Sequence, residues 1–344
     1  MTVTEKILER HNDIANNCSE LLPLPKFDRY CICNLRGGVG KTSLAFNLSF
    51  LADDVLAVDT CPQGNLSYFF NPLYYTSGIS SYDMLLPYFL PGFGFATHVA
   101  QSVGATNRHF QNRKCFYIPS SDSLYNFASH MTFAFSQTAS VSGLRRNQMI
   151  DGMLYSLRNE IERELSETGV TKCIIDTSPF FAGATHLAWH AMDALIVPVR
   201  TDRQSINSLN LLLQTLSSPT SPFRMIMPSD KHTPKIQLIV LTHCGWSTRA
   251  GARHQPNQQT RMYLEQVIDL TARNITHFTT DSPENHIVLL DDFLGSGRIS
   301  TAQSKPLNLL IPGESATVQR VRVEVNDSVE KIKRQLRFIN EIIW

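Results

Sequence analysis

Short apolar runs alternate with helical patterns along most of the chain. In the helical stretches, apolar residues recur every three or four positions, as on one face of a helix. The short runs have the length and content of buried strands. They lie at residues 30–34, 55–59, 115–119, 172–176, 194–199 and 236–242. Strands separated by helices predict an α/β fold with a doubly wound, mostly parallel sheet flanked by helices.

Amphipathic patterns predict three helices in particular. Residues 2–16 open with Thr2-x-x-Glu5, which is a capping box. Residues 150–165 place their apolar side chains on one face, which we expect to face the core. Residues 328–344 carry an apolar stripe with lysines and arginines largely off it, so this helix either docks on its own domain or lies on an anionic membrane. We favour docking.

These patterns divide the chain into three parts. Residues 1–28 are an N-terminal helical extension, residues 29–327 are the main domain, and residues 328–344 are the C-terminal amphipathic helix. Within the main domain, residues from about 70 to 170 form an enlarged region of helices and loops. The sequence indicates no role for residues 70–130.

Composition adds limits to this picture. The chain has 344 residues, of which 42% are apolar and 18% charged, so it can bury a sizeable core. Lysine and arginine number 31 and aspartate and glutamate 30, so contact with nucleic acid or an anionic membrane requires a local patch. Seven cysteines, most of them in apolar runs, are typical of a reducing compartment. With no apolar run of spanning length, we expect a cytoplasmic protein.

A glycine-rich segment follows the first predicted strand and precedes a helical run at residues 44–51. Glycines let backbone N–H groups turn inward around an anion, and the start of a helix adds its positive dipole end. A lysine there can neutralise phosphate oxygens, and the next hydroxyl can ligate Mg²⁺. A flexible turn is the alternative, but strand, loop and helix coincide and favour nucleotide binding. The candidate binding residues are Gly37, Gly38, Val39, Gly40, Lys41, Thr42 and Ser43.

The loop departs from the ordinary P-loop pattern because Leu35 stands at the first glycine position. It resembles instead the loop of the ParA/MinD family of deviant P-loop ATPases, Lys-Gly-Gly-x-Gly-Lys-Thr. Residues 55–66, with Pro-Gln-Gly-Asn at their end, and residues 173–179, Cys-Ile-Ile-Asp-Thr-Ser-Pro, are also similar to family segments. The resemblance covers residues 30 to about 245 and more weakly the C-terminal part. Pro-Gln-Gly-Asn favours the ParA branch.

The carboxylates of Asp59 and Asp176 end neighbouring predicted strands. Both should therefore lie at the carboxyl edge of the sheet beside the glycine loop. We expect Asp176 and Thr42 to ligate Mg²⁺, with Asp59 as a second anion there. A buried structural role for Asp176 is the alternative. The sequence contains no Asn-Lys-x-Asp motif, so ATP is preferred over GTP.

Two family positions are changed in this chain. The resemblance implies a lysine that reaches the partner subunit's phosphates, and here that residue is Arg36, which keeps the charge. It also implies an acidic residue that helps to position the attacking water, and here that residue is Cys61. A thiol is a weak hydrogen-bond acceptor, so we expect ATP to bind but hydrolysis to be slow.

Two further groups of residues are weaker candidates. Arg249, Arg253 and Arg261 lie in a basic polar segment after the last predicted strand. This segment either contacts DNA phosphates or is a solvated basic loop. His186 and His190 are four residues apart on a predicted helix, but no third metal ligand is near, so packing is favoured over a metal site.

The resemblance implies a ParA-like switch. Mg·ATP would favour a homodimer that binds DNA non-specifically, and a ParB-like centromere-binding protein would trigger hydrolysis and release, which segregates plasmid or chromosome DNA. The catalytic residues would be Arg36, Lys41, Asp59 and Asp176. One alternative is an ATP-sensing regulatory dimer that hardly turns over. Another is a positioning ATPase for a protein or membrane cargo, although we do not expect membrane binding.

Overall fold

Strands form at the six predicted apolar runs, and two strands that were not predicted, at residues 101–102 and 287–291, join them in one sheet. The computed structural model describes residues 1–74, 78–181, 183–227, 233–247 and 255–344, and in these residues the sheet has eight strands. The strands are β1 (Arg29–Ile32), β2 (Val55–Asp59), β3 (Gln101–Ser102), β4 (Cys115–Ile118), β5 (Lys172–Asp176), β6 (Ala194–Arg200), β7 (Lys235–Cys244) and β8 (Ile287–Asp291).

The strand order is β3-β4-β2-β5-β1-β6-β7-β8. Only the short pair of β3 and β4 is antiparallel among these strands. Asp59 at the end of β2 stands in register with Asp176 at the end of β5, and Ile32 at the end of β1 is in register with the same aspartate. The segment after β1 therefore starts beside Asp176. The predicted doubly wound, mostly parallel α/β sheet is confirmed.

Helices cover both faces of the sheet. They are α1 (Val3–Asn16), α2 (Lys41–Ala52), α3 (Asn65–Phe70), α4 (Ser81–Leu85), α5 (Val103–Thr106), α6 (Phe127–Gln137), α7 (Gly143–Leu154), α8 (Ser156–Thr168), α9 (Ala184–Ala191), α10 (Arg203–Ser217), α11 (Pro222–Ile226), α12 (Gln258–Arg273), α13 (Leu294–Gln303) and α14 (Ser328–Ile343). Successive side chains of β1 point to opposite faces. Cys31 and Cys33 join one core, and Tyr30 and Ile32 join the other.

The C-terminal helix α14 docks on its own domain. Its apolar stripe is buried in the same core as α2 and the adjacent face of the sheet. The buried residues of the stripe are Val329, Ile332, Leu336, Ile339 and Ile343. The docking expected from the sequence is confirmed, and this stripe is not available to a membrane.

The helix α1 lies against the open edge of the sheet at β8. Its predicted capping box is present: the Glu5 amide donates to Thr2 Oγ1 (3.2 Å) and the Thr2 amide donates to Glu5 Oε2 (2.7 Å). Arg10 donates from its guanidinium to the backbone carbonyls of Glu284 and Ile287. A side chain of α1 thus satisfies an acceptor of the edge strand, which the apolar runs did not predict.

Other features differ from the sequence prediction or add to it. The apolar face of residues 150–165 spans two helices, because the backbone of Tyr155 leaves the helical region (φ −92°, ψ 6°) between α7 and α8. As expected, the stripe faces the core: Ile150, Leu154, Leu157 and Ile161 are buried, and Leu165 is partly buried against the same core. A separate antiparallel hairpin, β9 (Ser315–Val318) and β10 (Val321–Glu324), was not predicted. Among the described residues, no helix has both the length and the apolar content to cross a membrane.

Candidate functional site

The predicted loop opens into a cavity of ≈ 1170 Å³ at the carboxyl edge of the sheet. One wall is the glycine loop and the start of α2. The turn before α3 contributes Cys61, Gln63 and Asn65. The ends of β7 and β8, the helix α13 and the hairpin β9–β10 complete the wall. The parallel register of the strands explains this position, since all their carboxyl ends meet at one edge.

The glycine loop has the backbone of an anion cradle. Gly38 (φ +73°) and Gly40 (φ +93°) both adopt the left-handed region, where a side chain is strained. Gly40 caps α2, whose helical backbone begins at Lys41. The free N–H groups at the start of this helix and its positive dipole end therefore face the cavity side of the loop. The arrangement can hold an anion such as phosphate.

The Lys41 side chain lies against the loop itself. Its ammonium donates to the backbone carbonyls of Asn34 (3.1 Å) and Arg36 (2.8 Å). Only 7% of the residue is exposed, and burial lowers the pKa of the ammonium, while Asp176 acts in the opposite direction. Lys41 also lines the cavity, so the same ammonium can turn from the carbonyls to a bound anion.

Thr42 and Asp176 form a direct pair at the floor of the site. The Thr42 hydroxyl donates to Asp176 Oδ2 (2.7 Å), and the other carboxylate oxygen, Oδ1, is buried without a hydrogen-bond partner among the described residues. Burial, reinforced by nearby Asp59, raises the pKa of Asp176 to about 7. A hydroxyl and an unpaired carboxylate oxygen are hard ligands of the kind that Mg²⁺ prefers, so these residues fit a magnesium ion.

The Asp59 carboxylate is occupied by the turn that follows β2. It accepts from the amide of Cys61 (3.1 Å) and from the amide and hydroxyl of Ser67 (both 2.8 Å). The residue is 1% exposed, and burial raises its pKa to about 6. Like Asp176, Asp59 is not among the residues that line the cavity. In this structure the carboxylate holds the turn that carries Cys61, a role that the strand pattern alone did not indicate.

Cys61 lines the cavity as a neutral thiol. The residue is 6% exposed, and burial, together with the neighbouring Asp59, raises the pKa of the thiol to about 11. Near pH 7 the side chain therefore has no charge. The position that the family resemblance assigns to an acid holds a weak hydrogen-bond acceptor at the edge of the cavity.

Arg36 is held by its own chain. Its guanidinium lies 3.2 Å from Asp202 Oδ1 and donates to Gln204 Oε1 (2.5 Å). Asp202 also caps α10, because its carboxylate accepts from the Ser205 amide (2.9 Å). Any contact of Arg36 with a second subunit requires that the guanidinium leave this pair.

The other candidates lie away from the cavity or outside the described residues. Arg249 and Arg253 fall outside the described residues. Arg261 is exposed on α12 and pairs with Glu265 one turn later (3.3 Å). No group of three His, Cys, Asp or Glu residues in the described parts of the chain could hold a metal ion.

His186 and His190 pack in an aromatic cluster. Their rings stack with 5.2 Å between centroids, and His190 also stacks on Phe223 at 4.7 Å. Burial lowers the pKa of His186 to about 4 and that of His190 to about 3. Both imidazoles are therefore neutral at physiological pH and behave as core side chains, which agrees with the packing interpretation.

Sequence reasoning missed the residues that brace the loop from neighbouring strands. The Thr242 hydroxyl at the end of β7 donates to the carbonyl of Val39 (3.1 Å). The Asn34 amide donates to the carbonyl of Pro198 (2.7 Å), and Ser208 donates to the Asn34 side chain (2.6 Å). These residues could have been predicted from the polar positions at the carboxyl ends of the apolar runs, because ligands bind at this edge of a parallel sheet.

The fold, the glycine loop and the Thr42–Asp176 pair define the chain as a P-loop protein. A family model described as an AAA domain matches residues 29–221, more than half of the chain, and the chain belongs to this family. The resemblance to the ParA/MinD family of P-loop ATPases is thereby confirmed. Comparison with curated proteins gives no match.

Solved structures with the same fold include proteins described as ATP-bound or as partition proteins. Apo McdA from Cyanothece is 20% identical and has a TM-score of 0.54, with 81% of this chain and 91% of that chain covered. A variant of Cyanothece McdA in complex with ATP is 18% identical, with a TM-score of 0.57 and coverage of 92% and 96%. A putative plasmid partition protein from Borrelia burgdorferi, bound to AMPPNP, is 15% identical, with a TM-score of 0.54 and coverage of 93% and 100%.

The buried histidines predict a loss of stability in acid. Their neutral form is favoured in the fold, so their contribution is complete above the unfolded pKa near 6.5 and is lost as the pH falls toward 3 to 4. His190→Phe removes one titrating ring. Between pH 7 and pH 4, wild type should lose roughly 2 to 3 kcal/mol more stability than this variant, measured by urea unfolding at each pH.

The control for this experiment is Trp189→Phe, which changes the same aromatic cluster but keeps both histidines. Its stability should follow the pH dependence of wild type. Asp59 and Asp176, whose raised pKa values act in the opposite sense, are common to all three proteins and cancel in the comparison. Equal pH dependence of wild type and His190→Phe would show that folding does not lower the pKa of His190.

Proposed function

We propose that the chain binds Mg·ATP in this cavity and works as a ParA-like ATPase switch. The observation that carries the proposal is the Thr42–Asp176 pair (2.7 Å), with its unpaired carboxylate oxygen, at the foot of a glycine loop that begins a helix. The solved McdA and partition-protein structures that share the fold are described with ATP and AMPPNP, which supports the choice of nucleotide.

Each group at the site has a task in this proposal. The amides at the start of α2 and the Lys41 ammonium would hold the phosphates. Thr42 and Asp176 would hold Mg²⁺, which supplies charge neutralisation at the phosphate oxygens when it is bound. Asp59 would act through the turn that it anchors, because its carboxylate is already occupied by three donors. Within one subunit the catalytic residues would be Lys41 and Asp176, with Asp59 as a positioning residue, and Arg36 would complete the set across the dimer.

The switch would work as a homodimer in the ATP state. Arg36 would leave Asp202 and contact the phosphates of the second subunit, as the resemblance to the deviant P-loop implies. The dimer would bind DNA non-specifically through the basic segment of the sequence that contains Arg249, Arg253 and Arg261. A ParB-like activating protein would trigger hydrolysis, so that the chain segregates plasmid or chromosome DNA.

A second candidate function is an ATP-sensing regulatory dimer with little hydrolysis. The specific observation in its favour is the neutral Cys61 thiol, whose raised pKa leaves no charge beside the cavity at pH 7. A positioning ATPase with a membrane cargo has less support, because the apolar stripe of α14 is buried against the domain.

The first test removes the Lys41 ammonium. Lys41→Ala should lower the affinity for Mg·ATP by at least about ten-fold, because several charge-assisted hydrogen bonds to the phosphates are lost. Isothermal titration calorimetry measures the affinity directly. Lys6→Ala, which removes an exposed lysine paired with Glu284 far along the chain, is the control and should bind as wild type does. Unchanged binding by Lys41→Ala would contradict the P-loop proposal.

The second test separates the two partners of Arg36. Arg36→Ala should keep ATP binding within about two-fold of wild type but abolish ATP-dependent dimerisation, as measured by light scattering with ATP, ADP or no nucleotide. Asp202→Asn keeps a residue suited to cap α10 and releases the guanidinium, so it should dimerise at least as readily as wild type. Equal dimerisation by wild type and Arg36→Ala would restrict Arg36 to its own subunit.

The third test restores an acid at position 61. Cys61→Asp should raise the rate of single-turnover hydrolysis about ten-fold or more, with little change in ATP affinity, because a carboxylate can orient the attacking water. The assay is run at pH 8, since the nearby Asp59 raises the pKa of an acid placed here. Cys61→Ser is the neutral control and should stay slow. If wild type already hydrolysed ATP rapidly and Cys61→Asp had the same single-turnover rate, another group would position the attacking water.

A further inference from the structure

The hairpin β9–β10 forms a wall of the cavity that has no role in the phosphate binding proposed for the glycine loop. It is a two-stranded sheet apart from the main sheet. Its side of the cavity combines apolar and polar side chains. The residues of the hairpin that line the cavity are Thr317, Val318, Gln319, Val321 and Val323. Val321 is 59% exposed, so this apolar side chain has little contact with the rest of the protein.

The base of the hairpin is firmly attached. The Gly313 amide donates to the Val325 carbonyl (2.8 Å), and Lys305 donates to both oxygens of Glu314 (2.7 and 2.8 Å). The helix α13 approaches β10 so closely that a Cβ on Gly295 would lie 2.9 Å from the Glu324 carbonyl oxygen. The two strands are thus fixed on α13, and the hairpin is a built wall of the cavity.

The turn of the hairpin is strained. Gln319 (φ +49°) and Arg320 (φ +68°) connect the paired residues Val318 and Val321, and both adopt the left-handed region. A two-residue hairpin turn of this kind favours Asn-Gly, for which the conformation costs little. This chain instead keeps two long polar side chains at the turn. Strain of this kind is common where side chains serve a ligand.

A nucleoside triphosphate has the chemistry to occupy both ends of the cavity. The glycine loop suits the phosphates, whereas a purine base has apolar faces and a polar edge, and a ribose has hydroxyl groups. The hairpin offers valines for the faces and the Gln319 amide for the polar groups, and Arg298 and Thr301 of α13 line the same cavity. Because one cavity joins the two ends, a single ligand that carries both chemistries can contact both of them.

We propose that the hairpin β9–β10 is the base and ribose wall of the nucleotide site, and that Gln319 at its turn, which lines the cavity, retains the bound nucleotide. This inference rests on the proposed function, since the glycine loop must hold the phosphates. It adds a prediction about this chain alone: the affinity for the nucleoside part of ATP depends on residues 315–324.

The experiment replaces the strained turn with its unstrained counterpart. In the double variant Gln319→Asn, Arg320→Gly the hairpin should form at least as well as in wild type, while both long side chains are lost. Calorimetry with Mg²⁺ present should show about ten-fold weaker binding of ATP and unchanged binding of inorganic tripolyphosphate, which has no base or ribose. Asn17→Gly, which relieves a left-handed residue at the end of α1 (φ +60°), is the control and should change neither affinity.

The outcomes separate the two proposals. Equal ATP affinity of the double variant and wild type would overturn the inference about the hairpin. If wild type bound neither ATP nor tripolyphosphate, the proposed function itself would be overturned. Equal losses of both ligands would also count against the hairpin as a nucleoside wall. Val321→Thr keeps the turn and a β-branched side chain, and it should weaken ATP about three-fold and leave tripolyphosphate unchanged. If the double variant has lower thermal stability than wild type, Val321→Thr still tests whether the hairpin contacts the nucleoside.

Discussion

The carboxyl group of Asp176 is the constraint around which the site is organised. It is fully buried at the end of β5, between the strands that end at Asp59 and Ile32, and among the described residues its side-chain hydrogen-bond partner is the Thr42 hydroxyl. Burial of a charge without a hydrogen-bonded counter-charge is costly by several kcal/mol. The fold therefore raises the pKa of this acid and sets a loop with a positive helix end beside it. The carboxyl ends of β1, β2 and β5 and the start of α2 all lie around this one carboxyl group.

Much of the fold followed from the sequence because the short apolar runs are clearly separated by helical patterns and the glycine loop lies between a strand and a helix. The strands that supply Asp59 and Asp176 were placed correctly, and the helical run predicted at residues 44–51 lies within the helix Lys41–Ala52. Local pattern could not show that Asp59 accepts from Ser67, or that Arg36 pairs with Asp202, because these contacts depend on side-chain directions and on segments far apart in the chain. The hairpin turn at Gln319 and Arg320 carries none of the usual turn residues, so it gave no signal.

The turn after β2 explains how the chain accommodates cysteine at position 61. The Asp59 carboxylate binds the backbone amide of residue 61, and it also binds Ser67 at the start of α3. These hydrogen bonds fix the path of the backbone, whichever side chain stands at position 61. The chemistry of the cavity edge can change at this position while the geometry of the turn is kept.

The two edges of the main sheet are protected in ways that limit aggregation. At one edge, β3 offers only two residues of backbone. At the other, Arg10 of α1 binds the carbonyl of Ile287, and Gln335 of α14 accepts from the Asp291 amide (3.0 Å). Exposed edges invite further strands to add, and here side chains from the two ends of the chain occupy groups that an incoming strand would need. Copies of the protein therefore gain little by extending one another's sheets, and a truncation that removed either terminal helix would uncover an edge prone to fibre-like association.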